Sequence, residues 1–150
     1  MFAKKILPLC PKYAYMNKII VLAEEGEVSL IDKLYEQLGI DLRNIPILYT
    51  GVGAINVIRA LQELPRDTEI FNIGYAGSAN YEIGSVVCVE EAKLNHPCVN
   101  YPEPQLALTI VPSSYLKNPE SCLSSVCYSN TDFVLQSDYK DCVFDMELAY

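Results

Sequence analysis

The sequence predicts an α/β fold of three layers, a mixed but mostly parallel central sheet flanked by helices. Short apolar runs rich in β-branched residues alternate with stretches whose apolar residues recur at helical spacing. The turns after those runs carry glycine or carboxylates. With 51% hydrophobic and 20% charged residues over 150 positions, the chain suits one compact domain and argues against disorder.

Lys18 to Ala23 (KIIVLA) reads as a buried parallel strand, because it is almost continuously apolar. Val28, Ile31, Leu34, Tyr35 and Leu38 follow as a helix face, with Gly39 placed as a C-cap. Ile45 to Tyr49 is the second strand, ended by Thr50-Gly51-Val52-Gly53. Ile55, Ile58, Leu61 and Leu64 mark a second amphipathic helix, closed by Pro65. Glu69 to Ile73 is the third strand, followed by Gly74 and Gly77. Strand and helix in this alternation imply βαβ units with right-handed crossovers.

After Gly84 the pattern changes. Ser85 to Val89 and Leu106 to Val111 read as strands with no helix between them, which predicts a partly antiparallel portion of the sheet. Asn95 to Gln105 is a proline-rich loop. Cys122 to Cys127 and Cys142 to Phe144 are further strand candidates, and Met146 begins a helix. Met1 to Tyr15, with Pro8 and Pro11 and no clear period, is expected to be an N-terminal extension to a domain spanning 16–150. That domain is expected to be incomplete at its C-terminal end, because strong helix formers from Asp145 onward stop within about one turn.

The formal net charge of −8 disfavours nucleic acid or anionic membrane as a partner. No apolar run approaches the ~20 residues that span a bilayer. Six cysteines include no C-x-x-C pair, and the single histidine, His96, stands near Cys98 alone, so no structural zinc site is expected. The thiols are expected to be reduced and mostly buried, in a cytoplasmic protein.

In open α/β sheets, ligands gather beyond the carboxyl ends of the strands. Glu24, Glu25 and Glu27 lie there after the first strand, Gly51 to Gly53 after the second, and Tyr75 to Ser78 after the third. Singly, each has an ordinary explanation. The acidic residues complement a helix dipole, and Gly51-x-Gly53 makes a tight strand-to-helix turn. With Asn56 in its last position it is not a dinucleotide fingerprint. Asp145 and Glu147 likewise read as first-turn carboxylates.

Together, and in order, these segments resemble the purine-nucleoside phosphorylase and nucleosidase superfamily, most nearly bacterial methylthioadenosine/S-adenosylhomocysteine nucleosidase. Ile20 to Val28 (IVLAEEGEV) is similar to that family's first strand and acidic turn. Thr50 to Asn56 resembles its glycine turn. Asn72 to Ser78 (NIGYAGS) with Ile83 to Val87 resembles its N-x-G-x-A-G-G segment and I-G-D-V-V strand. Phe144 to Glu147 (FDME) resembles its V-E-M-E signature. The likeness is poor between Leu94 and Val126.

The resemblance implies a nucleoside phosphorylase-like fold and cleavage of a nucleoside N-glycosidic bond. It assigns Glu27 as the general base that activates water, and Glu147 as the acceptor for the ribose hydroxyls with Met146 packed on the sugar. Ala76 and Gly77 would line the ribose and base, Phe133 would stack on the purine, and Val134 would offer its backbone to the base. A leaving-group aspartate is implied one strand and loop beyond the D-M-E segment, after Tyr150; Asp132 and Asp138 do not match its place. Ser78 departs from the A-G-G pattern, and Gly26 interrupts the acidic run. The resemblance also implies a homodimer acting on a small-molecule nucleoside, with no metal or organic cofactor. Arg43, Arg59 and Arg66 stand on or beyond helices, away from the strand ends, so hydrolysis is expected over phosphorolysis. A nucleoside-binding relative without activity is the alternative from another class.

Overall fold

The computed structural model describes residues 17–94, 108–109, 123–130 and 141–146. The extension Met1 to Tyr15, the loop Asn95 to Gln105 and the helix expected beyond Met146 lie outside the described residues.

Strand β1 (Lys18–Leu22) organises the layers. Alternate side chains of a strand point to opposite faces, and here both faces are covered. Ile19 and Val21 pack with Leu48 and Leu64, and with part-buried Ala60 and Leu61. Ile20 and Leu22 pack with Ile31 and Leu42, and with part-buried Leu34. Helix α1 (Ser29–Leu38) therefore covers one face and α2 (Ala54–Leu61) the other. Burying each of these aliphatic side chains contributes about 1.5–3 kcal/mol, which explains why β1 has no polar alternation.

β1 lies between β2 (Ile47–Tyr49) and β3 (Glu69–Asn72), parallel to both. Gly39 ends α1 in the left-handed region at φ 68°, and its N–H donates to the Tyr35 carbonyl at 2.9 Å.

Helix α2 keeps half of its expected face: Leu61 and Leu64 pack into the core as expected, but Ile55 is 67% exposed and Ile58 42% exposed, and Val57 is buried instead. The segment AINVIRAL is apolar at both candidate stripes, so spacing alone could not choose between them. The sheet selects the stripe that also carries the small Ala60, which admits close approach.

A second sheet has the order β5-β4-β6-β7. β4 (Val87–Leu94) runs parallel to β6 (Leu123–Ser129), and β6 parallel to β7 (Cys142–Asp145). β5 (Leu108–Thr109) is antiparallel to β4. The strands are thus mixed and mostly parallel. The two sheets meet where Gly77 pairs antiparallel with Phe144, each N–H donating to the other's carbonyl at 2.9 and 2.8 Å.

Cys127 and Cys142 are free and buried, as expected of structural thiols. Cys88 is disulfide-bonded, against the expectation of reduced thiols, and its partner lies outside the described residues. Among the described residues, no helix is long and apolar enough to cross a membrane, and no group of three or more His, Cys, Asp or Glu is arranged to hold a metal ion.

Candidate functional site

Parallel pairing brings the carboxyl ends of β1, β2 and β3 to one edge. Backbone hydrogen bonds carry the pairing past the strands: Thr50 N donates to Leu22 O at 2.9 Å, Gly51 N to Ala23 O at 3.0 Å and Ile73 N to Val21 O at 3.1 Å. The acidic turn after β1 and the loop after β3 consequently face each other across one strand spacing.

Glu27 occupies that gap. It sits in a single 3-10 turn (Glu25–Glu27) between β1 and α1, and its side chain folds back over the turn. Its Oε2 accepts from Ala23 N at 2.7 Å and from Glu24 N at 3.2 Å. Its Oε1 accepts from Tyr75 N, 48 residues away, at 3.3 Å. Gly74 makes this approach possible, because a Cβ there would stand 3.2 Å from Glu27 Oε1. A carboxylate offers about four acceptor positions. The three N–H donors orient it and leave about one position for a water or hydroxyl.

The glycine turn after β2 is closed on itself. Gly51 and Gly53 both have positive φ, 80° and 91°. Asn56 Nδ2 donates to Val52 O at 2.8 Å, and a Cβ on Gly51 would stand 3.3 Å from that same nitrogen. Asn56 fills the space over the turn, which supports the reading of a tight strand-to-helix connection at this place.

The loop after β3 ties the first sheet to β7. Gly77 uses both backbone groups on Phe144, while Ala76 is exposed beside it. Ser78, the departure from A-G-G, has a definite task. Its Oγ donates to the Cys142 carbonyl at 2.8 Å and accepts from Asn80 N at 3.2 Å and Tyr81 N at 3.4 Å. Asn80 Nδ2 adds a bond to Asp141 Oδ1 at 3.1 Å. A glycine at position 78 could make none of the side-chain bonds.

These ties place Glu27 against the loop that carries Ala76 and Gly77, and that loop against Phe144, two residues before half-buried Met146. Glu147, Phe133 and Val134 lie outside the described residues. Asp145 is not a first-turn carboxylate: it is the last residue of β7 and accepts a hydrogen bond from the buried Ser129 hydroxyl. Ser129 carried no sequence signal of its own, since a lone serine at a strand end has no periodicity to betray it. The Cys127 thiol is pushed up, chiefly by burial and further by the neighbouring Asp145 carboxylate. Burial, with Asp141 beside it, pushes Cys142 up as well. Arg43 is engaged elsewhere, forked onto Asp41 at 2.8 and 2.7 Å and lying 4.1 Å over the Tyr35 ring.

The fold is similar to that of the futalosine hydrolase of Helicobacter pylori strain 26695, whose native structure matches with a TM-score of 0.53. The match covers 89% of this chain and 79% of that one at 16% identity, and it is a likeness of fold. No protein-family model matches the sequence. No curated protein matches it.

Proposed function

We propose that this protein hydrolyses the N-glycosidic bond of a purine nucleoside, with Glu27 as the general base. The observation that carries the reading is the Glu27 carboxylate, held at the joined carboxyl ends of β1 and β3 with one acceptor position to spare. The fold it shares with a nucleoside hydrolase adds support.

Breaking a ribosyl C–N bond develops cationic, oxocarbenium-like character on the sugar. A carboxylate nearby stabilises that charge more than it stabilises the neutral substrate, which lowers the barrier. Water is a poor nucleophile, and a base within hydrogen-bond reach accelerates its attack by about 10²–10⁴-fold. Glu27 takes the proton as the water's oxygen bonds to the anomeric carbon, and the purine leaves with the electron pair of the C–N bond. In this reading Glu147 accepts from the ribose hydroxyls and Met146 packs against the ring. Ala76 and Gly77 line the sugar and base, while Phe133 stacks on the purine and Val134 meets it through its backbone.

The substrate is methylthioadenosine, S-adenosylhomocysteine or a related nucleoside such as futalosine; the fold likeness favours the last. Phosphorolysis is the weaker reading, because Arg43 is committed to Asp41 and Tyr35 and Arg59 lies on α2. The test is base release from the three nucleosides, with and without phosphate. Release that needs no phosphate supports the hydrolase. Release only with phosphate would make the protein a phosphorylase, and nucleoside binding without release would make it an inactive relative.

A further inference from the structure

The hydrogen bonds of the Glu27 carboxylate fall unequally on its two oxygens. Each carboxylate oxygen offers about two acceptor positions. Oε2 uses both, on Ala23 N at 2.7 Å and Glu24 N at 3.2 Å. Oε1 uses one, on Tyr75 N at 3.3 Å. The position left over therefore belongs to Oε1.

Gly74 stands against that same oxygen. A Cβ at position 74 would lie 3.2 Å from Oε1 and 4.0 Å from the carboxyl carbon, and beyond its chain neighbours no other described residue would come within 4 Å. The backbone there does not call for glycine. Gly39, Gly51, Gly53 and Gly84 have positive φ, and Gly74 does not, so an L side chain could take its conformation. What glycine supplies at this position is room for Oε1. The carboxylate has little freedom to retreat, because two amides hold Oε2 on its other side. An alanine would displace Oε1 by a few tenths of an ångström and disturb its bond to the Tyr75 amide.

We propose that Oε1 is the atom that takes the water's proton, and that Gly74 is a positioning residue that keeps this oxygen in place by leaving the space beside it empty. The inference rests on the nucleosidase reading and deepens it. The proton passes to Oε1 as the water's oxygen bonds to the anomeric carbon and the purine leaves with the electron pair of the C–N bond. Gly74 acts on the base through Oε1, so its loss should register in kcat and spare KM.

The experiment measures kcat, KM and melting curves with the nucleoside that the wild type hydrolyses. The variants are Gly74→Ala, Gly26→Ala, Glu27→Asp and the double variant Gly74→Ala/Glu27→Asp. Gly26 lies in the same turn as Glu27, has no positive φ and has nothing within 4 Å of where its Cβ would stand. In Gly74→Ala, kcat should fall about tenfold or more, as misplacement by part of an ångström does, with KM within about twofold. Gly26→Ala should keep both constants. Glu27→Asp withdraws the carboxylate by a methylene, out of reach of an alanine Cβ. Adding Gly74→Ala to it should therefore change kcat by less than about twofold, whereas a merely structural effect would multiply with it. That pair also carries the test if Gly74→Ala alone folds poorly. Near-wild-type kcat in Gly74→Ala, an equal loss in Gly26→Ala, or the same fold-loss in the Glu27→Asp background would overturn the role of Gly74 and leave the hydrolase reading standing. A wild type that hydrolyses none of the three nucleosides overturns that reading, and this role with it.

Discussion

Glu27 and Tyr75, 48 residues apart, are joined by a hydrogen bond from the Tyr75 amide to the Glu27 carboxylate at 3.3 Å. The bond ties a strand end to a neighbouring loop and aims the carboxylate's remaining acceptor position. This scaffold role and the proposed chemical role fall on the same side chain, and substitution separates them.

Glu27→Gln should lower kcat by about 10² or more, since an amide does not take a proton from water. It should also cost about 1–2 kcal/mol of stability, because its NH₂ must face one of the amides the carboxylate now accepts from. Circular dichroism and a melting curve beside the kinetics distinguish the effects. Near-wild-type turnover in a folded variant would remove the base assignment.

Glu147→Ala, in the same reading, should raise KM for ribosides and lower kcat together, because the residue meets both the bound sugar and its charged transition state. An inhibitor that contains ribose should lose affinity in parallel. Unchanged affinity would count against a sugar-binding role.

Ser78→Gly restores the pattern seen in the resembling family but removes the bond to the Cys142 carbonyl and the acceptor for Asn80 and Tyr81. Stability should fall by about 1–2 kcal/mol, with extra backbone freedom adding to the loss. The melting temperature should drop by several degrees while KM changes little. An unchanged melting temperature would show that the tie contributes nothing.

Cys127 and Cys142 should resist alkylation in the native protein and react fully in denaturant, as mapped by mass spectrometry, because the thiolate is the reactive form and burial disfavours it. Above the ordinary thiol value of 9.0 the unfolded chain has lost protons that the native state still holds. Stability should therefore fall as pH rises through and beyond that value. Cys127→Ala should soften that fall. A melting temperature flat between pH 8 and 10 would contradict it.

Some of this was legible in the residues themselves. The apolar run of β1, the Gly39 cap and the alternation of strands with helices are local signals, written in side-chain spacing and turn chemistry, and they determine the α/β class. The place of Glu27 was also legible, as one member of an acidic turn after the first strand. Other features were settled by tertiary structure. Which stripe of α2 is buried depended on the surface it meets, since two stripes were equally apolar. The parallel pairing of β4, β6 and β7 joins segments far apart in the chain, and hydrophobic pattern carries no record of partner or direction. The hydrogen bonds of Glu27 to Tyr75, Ser78 to Cys142 and Ser129 to Asp145 arise because folding closes intervals of 48, 64 and 16 residues. A polar side chain's partner is chosen by where the backbone brings it, and a sequence specifies that position only through the whole fold.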